Sequence, residues 1–114
     1  MPFTVQPSGD IIIVKVHARR LDTSLAPEFK AKLVHLVHSG QERIVMDMAA
    51  LECIDSSGLG ALIAGLKALG ERGEIVLCGI TPRLLSLLQL THVDKLFHIF
   101  DNVEEAVSGL ATRA

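Results

Sequence analysis

The sequence predicts one α/β domain over residues 1–114, a mixed sheet of about five strands with about four helices in the order ββαβαβαβα. Three observations carry this. The chain has 114 residues, 49% hydrophobic and 21% charged, which is the size of one domain and enough apolar material for a core. Two β-rich stretches stand side by side at its start. After them, strand-sized apolar runs alternate with stretches of helical spacing, the pattern of a sheet whose later connections are right-handed crossovers.

The first two strands are Phe3 to Gln6 and Ile11 to Val16, joined into a hairpin by the turn residues Pro7-Ser8-Gly9-Asp10. Beyond Asp22 the period changes. Leu25, Phe29, Leu33 and Leu36 recur at helical spacing and place a helix over about 24–39, with Thr23 or Ser24 as its cap, Pro27 in its first turn and Gly40 at its end. Ile44 to Met48 reads as a third strand, and a second helix runs from about Ser56 to Arg72, closed by Gly73. Ile75 to Cys78 is too apolar for an exposed edge and reads as a buried strand. Thr81-Pro82 opens a third helix to about Leu90, Phe97 to Phe100 forms a last strand, and Asp101 or Asn102 caps a final helix to about Leu110. The last residues, Thr112-Arg113-Ala114, are expected to fray.

Composition narrows the function. Eleven basic against thirteen acidic residues give a net charge of -2, which supplies no basic footprint for nucleic acid or an anionic membrane. No apolar run approaches the ~18–20 residues of a membrane span. Met1-Pro2-Phe3-Thr4 has no cationic segment followed by an apolar one, so no secretory leader is expected and the cytoplasm is the expected compartment. Cys53 and Cys78 are too few for a disulfide framework or a thiolate zinc site.

One segment stands apart, Leu51-Glu52-Cys53-Ile54-Asp55-Ser56-Ser57-Gly58-Leu59-Gly60, between a strand and a helix. With Asp55 as N-cap, Ile54 and Leu59 have the spacing of a hydrophobic staple, and Ser56 and Ser57 open the helix. Leu59, Leu62, Ile63, Leu66 and Leu69 form an apolar stripe towards the sheet. The glycines Gly58, Gly60 and Gly65 each cost about 1 kcal/mol of helix propensity relative to alanine. Together with Ala61, Ala64 and Ala68 they allow close packing on the sheet, or offer a smooth uncharged face to another protein, on different sides. The two serines are ordinary first-turn residues, or a phosphate position favoured by unpaired N–H groups and the positive end of the helix dipole. Phosphate there would add about -1.5 to -2 charge beside Glu52 and Asp55 and switch binding off.

Catalytic readings are weaker. Asp55-Ser56-Ser57-Gly58-Leu59 lacks the leading glycine of a nucleophile elbow, and His92 and His98 carry no triad signature. His35 and His38 have one-turn spacing but no third ligand, so no metal site is expected. Gly58-Leu59-Gly60-Ala61-Leu62-Ile63 matches neither a dinucleotide fingerprint nor a P-loop. No enzyme activity and no cofactor are expected.

The Asp55-Ser56-Ser57-Gly58-Leu59-Gly60 turn, the Ile75-Val76-Leu77-Cys78-Gly79-Ile80-Thr81-Pro82 strand and cap, and Leu96-Phe97-His98-Ile99-Phe100 together resemble the STAS domain of bacterial anti-sigma factor antagonists, over nearly the whole chain. The resemblance implies a partner switch. The unphosphorylated antagonist binds an anti-sigma factor that is also a serine kinase of the GHKL ATPase type, phosphorylation releases it, and a PP2C-type phosphatase restores the binding form. It implies Ser56 as the acceptor, which the residues alone do not separate from Ser57. It also implies a partner surface of Leu21, Asp22, Asp55, Ser56, Ser57, Gly58, Leu59, Gly60, Ala61 and Ala64, on a monomer or weak dimer. Ala18-Arg19-Arg20-Leu21-Asp22 keeps the Leu and Asp of the family's G-x-L-D turn and replaces its glycine with arginine. The alternative is a STAS interaction or sensing module that phosphorylation does not regulate.

Overall fold

In the computed structural model, which describes residues 2–111, the opening hairpin is longer than its turn residues suggest. Strand β1 spans Phe3–Ser8 and pairs antiparallel with β2, Ile11–Val16, so Pro7 lies within a strand opposite Ile12 and the turn shrinks to Gly9-Asp10. Proline is tolerated because β1 is the edge of the sheet. From β2 onward the sheet is parallel: β4 (Arg43–Asp47), β6 (Glu74–Cys78) and β7 (Ile99–Phe100) follow in the spatial order β1-β2-β4-β6-β7. Two further strands of two residues each, β3 (Arg20–Leu21) and β5 (Cys53–Ile54), form a separate parallel pair at the site end of the molecule.

Four α-helices complete the fold: α1 Ala26–His38, α2 Ser56–Leu69, α3 Pro82–Leu90 and α4 Val103–Ala111. The alternation of side chains along the central strands explains why these runs are apolar without interruption. Ile44, Met46, Ile75 and Leu77 enter the main core with α1, α2 and α3, while Val45, Val76 and Cys78 enter a second core under α4. A mixed five-stranded sheet with four helices matches the class read from the sequence.

Element ends differ from that reading. Helix α1 begins at Ala26, and neither Thr23 nor Ser24 caps it; Asp22 instead organises the turn before it. Helix α2 stops at Leu69, where Gly70 takes a positive φ of 61°, and residues 70–72 form a 3₁₀ turn. Gly73 is extended rather than a cap, and a Cβ there would overlap the Glu42 carbonyl. Of the α2 stripe, Leu59, Leu62 and Leu69 are buried and Ile63 and Leu66 only partly so. The third strand runs 43–47, the last shortens to 99–100, and a 3₁₀ turn at Val93–Leu96 precedes it. Asn102 accepts the Glu105 N–H at the start of α4. The fraying expected of 112–114 concerns residues outside those described.

Candidate phosphoacceptor and partner-binding surface

The site is built where the β3–β5 pair meets the N-terminus of α2. Asp55 has extended backbone (φ -109°, ψ -174°), and its carboxylate accepts the N–H groups of Ser57 and Gly58 at 3.0 and 3.2 Å. The same oxygen, Oδ1, accepts the Ser57 hydroxyl at 2.5 Å. These bonds, the Ser57 hydroxyl first, hold the Asp55 carboxyl below the usual aspartate range and keep it ionised. Ser57 is thus tied into the cap and half-buried. Ser56, one position earlier, is exposed, and its hydroxyl makes no hydrogen bond among the described residues.

Two of the N–H groups that the sequence offered to a phosphate are therefore already taken by Asp55. A phosphate on Ser56 would stand beside a fixed carboxylate, and the aspartate supplies repulsion where free N–H groups would have supplied a cradle.

The small residues of α2 divide between the two roles foreseen for them. A Cβ on Gly58 would lie 2.5 Å from the Leu21 carbonyl oxygen and 2.6 Å from Ile54 Cγ1, and one on Gly65 would lie 2.9 Å from Leu33 Cδ1. These two glycines let α2 approach β3, β5 and α1. Gly60 is exposed, and a Cβ added to it would meet nothing within 4 Å; Ala64 is half-buried beside it on the helix.

Several residues expected on the partner surface in fact face inward. The Leu21 side chain is fully buried, Gly58 and Ala61 are buried, and Leu59 is 9% exposed. They fix the shape of the surface from beneath, because α2 must bury its apolar stripe to hold its N-terminus in place. Asp55, Ser56 and Gly60 are the members that reach solvent most freely, with Asp22, Ser57 and Ala64 half-buried. A shallow groove lies between the starts of α1 and α2, lined by Thr23, Ala26, Pro27, Lys30, Ser57 and Gly60.

The sequence did not disclose what Arg19 does at the family's glycine position. Its Nε donates to Glu52 Oε2 at 2.7 Å and Nη2 to Oε1 at 3.2 Å, a forked pair across the β3–β5 ladder. The histidines stand elsewhere: His17 shares a hydrogen bond with Thr4 at 2.8 Å, and His98 Nε2 lies 3.6 Å from Glu74. Among the described residues no three His, Cys, Asp or Glu side chains gather as a metal site, and no helix is long and apolar enough to cross a membrane.

Comparison with known families matches residues 3–106 to the STAS domain. The anti-sigma-B factor antagonist of Listeria monocytogenes is 34% identical over 95 residues, covering 81% of each chain. The crystal structure of an anti-sigma factor antagonist from Mycobacterium paratuberculosis superposes with a TM-score of 0.86 at 23% identity, over 96% of this chain and 92% of that one. SpoIIAA, a Bacillus cell fate determinant and anti-sigma factor antagonist, superposes in its unphosphorylated form with a TM-score of 0.73 at 18% identity over 98% of this chain and 99% of that one. Its phosphorylated form gives 0.71 at 19% over 93% and 96%. The match over residues 3–106 and the 34% identical relative place this chain in the STAS domain family.

Proposed function

We propose that this chain is an anti-sigma factor antagonist of a partner-switching pathway, regulated by phosphorylation of Ser56. Unmodified, it docks the exposed start of α2 and the Asp22 turn on an anti-sigma factor. That partner is also a serine kinase of the GHKL ATPase type, which phosphorylates Ser56 and so ends the complex, and a PP2C-type phosphatase restores the binding form. The chain itself is substrate and ligand, with no catalytic residues, and works in the cytoplasm.

One observation carries this reading: of two adjacent serines, Ser57 gives its hydroxyl to the helix cap while Ser56 presents an exposed hydroxyl without a hydrogen bond. A kinase can take Ser56 without breaking the cap. To take Ser57 it would have to break the hydroxyl bond to Asp55. The switch then follows from electrostatics, since a phosphate of about -1.5 to -2 charge arrives beside an ionised Asp55 on a surface meant to be covered. An uncompensated charge shut into an interface costs about 3–5 kcal/mol, roughly a 10²–10⁴-fold loss of affinity. The names of the relatives, antagonists of anti-sigma factors, support the class of partner.

Intact-mass spectrometry with peptide mapping, after incubation with ATP and a purified anti-sigma factor kinase of the GHKL ATPase type, tests the reading. The expected result includes phosphate on Ser56 and none on Ser57, with Ser56→Ala binding the kinase permanently. A tight complex that never leads to phosphate on Ser56 would instead make the chain an unregulated binding module.

A further inference from the structure

Three arginines gather around one glutamate at the rim of the docking surface, and their pairing is uneven. The Arg19 carbonyl takes the N–H groups of Glu52 and Cys53 at 2.8 and 3.0 Å, and the Leu21 carbonyl takes that of Asp55 at 3.2 Å. The ladder between β3 and β5 thus runs without a break into the turn that carries Ser56. Arg20 stands on this ladder opposite Cys53, exposed, while its neighbour Leu21 is buried. Arg83, also exposed, arrives from α3 as its second residue. The turn before α3 lies against the segment that leads to Glu52, for a Cβ added to Gly79 would meet Ala49 Cβ and N at 3.1 Å.

The carboxylates of this rim are engaged within the chain. Asp22 Oδ1 accepts the Ser24 N–H and hydroxyl, Asp55 Oδ1 accepts the Ser57 N–H and hydroxyl and the Gly58 N–H, and both oxygens of Glu52 sit in the Arg19 fork. Arg20 and Arg83, by contrast, make no hydrogen bond or ion pair among the described residues. They are near enough to act on Glu52: its carboxyl is held below the usual glutamate range by Arg19 first, then by Arg83 and Arg20. Arg19 therefore occupies the one carboxylate that the other two arginines could have taken.

That arrangement dictates what can cover the rim. Each free guanidinium carries five N–H donors in a planar fork and never loses its charge. A partner that shut two of them away from water without acceptors would leave buried charges unpaired, a heavy cost. Carboxylates match the fork with two parallel bonds, which fixes register as well as charge. A phosphate of about -1.5 to -2 charge on Ser56 would oppose the two positive charges on the same surface and so repel the same carboxylates.

We propose that Arg20 and Arg83 form a carboxylate-recognition pair that takes an acidic segment of the anti-sigma factor, and that the Arg19–Glu52 fork keeps both guanidiniums free for it. The proposal rests on the docking surface proposed above. It adds α3 to that surface and gives the partner's contact a chemistry. Arg19 acts here as a positioning residue, through Glu52, at the place where the family's turn has glycine.

The test uses the full chain with Ser56→Ala, so that phosphorylation does not intervene, and a purified anti-sigma factor kinase of the GHKL ATPase type. Affinities are read by isothermal titration calorimetry, and melting of each variant checks that its fold is kept. Arg20→Glu and Arg83→Glu should each weaken the complex at least about tenfold at low salt. Lys67→Glu, the same charge change at an exposed position in the last turn of α2, should leave it within about twofold. Arg19→Gly frees Glu52 to hold a neighbouring arginine and should cost about two- to fivefold, which adding Glu52→Gln restores. The amines introduced by Arg20→Lys and Arg83→Lys report the partner's chemistry directly, since a carbodiimide joins an amine only to a carboxylate beside it. Peptide mapping should find positions 20 and 83 joined to aspartate or glutamate of the kinase. Arginine reversals no worse than Lys67→Glu, or no such cross-link in a tight complex, overturn the carboxylate pair and leave the Ser56 reading standing. Cross-links to a second copy of this chain overturn the anti-sigma factor as its occupant. A loss with Arg19→Gly that Glu52→Gln does not restore overturns the role of the fork, and no complex with the Ser56→Ala chain removes both readings.

Discussion

Replacing Gly58 by alanine and Gly60 by alanine should move stability in opposite directions, although the two glycines are two residues apart on one helix. At Gly58 the new methyl would stand 2.5 Å from a backbone oxygen of Leu21, 2.6 Å from Ile54 Cγ1 and 2.9 Å from Leu21 Cγ. A carbonyl in the β3–β5 ladder cannot turn aside as a side-chain tip can, so α2 must lift away from the pair. Such overpacking costs about 1–3 kcal/mol, and the better helix propensity of alanine returns at most about 1 kcal/mol. A net loss of up to about 2 kcal/mol corresponds to a fall in Tm of up to roughly 10 °C for a domain of this size. At Gly60 the methyl meets nothing within 4 Å, so only the propensity gain remains and Tm should rise by roughly 2–5 °C. Calorimetric or circular-dichroism melting of the two variants beside the parent chain reads both signs. Equal and upward shifts would refute the assignment of Gly58 to internal packing and Gly60 to the open surface.

Three further outcomes follow from the same structure. The Asp55 carboxyl is held below its ordinary pKa of 3.8, so the Ser57–Asp55 bond stabilises fully above that value and is lost as pH falls through the lowered one; the Tm gap between the parent and Ser57→Ala should close on acidification below about pH 3.8 and stay constant above it. Burial, with Asp47 nearby, pushes the Cys78 thiol up to about 12, whereas Cys53 is half-exposed; iodoacetamide at about pH 8 should alkylate Cys53 in the native protein and reach Cys78 only after denaturation, as peptide mapping would show. His92 holds a left-handed φ of 61° ahead of the 3₁₀ turn, a conformation costing roughly 1–2 kcal/mol for a side-chain-bearing residue, so His92→Gly should raise Tm by a few degrees in the same melting assay.

The layered plan of the molecule was legible because both periods are plain in the chain. Ile75 to Cys78 is apolar throughout since its two faces enter two cores, and Leu25, Phe29, Leu33 and Leu36 repeat with the helix that buries Phe29, Leu33 and Leu36. The Asp55 cap was legible for a local reason: an aspartate two and three residues before free N–H groups needs nothing distant to form. The short β3–β5 pair was not, because two-residue strands have no periodicity and are fixed by contacts across a separation of 33 residues, such as Arg19 with Glu52. Leu21 and Gly58 enter the expected partner surface through the family resemblance, whereas the structure buries both. Their places are set by the close approach of α2 to β3, which no local pattern records.

The partner switch itself is tested by the affinity of the cognate anti-sigma factor for two forms of this chain, unmodified and stoichiometrically phosphorylated on Ser56, by isothermal titration calorimetry. A tight complex is expected with the first, and one weaker by at least about a hundredfold with the second. Equal affinities would contradict the switch, because Ser56 would then carry a modification that the docking surface does not feel.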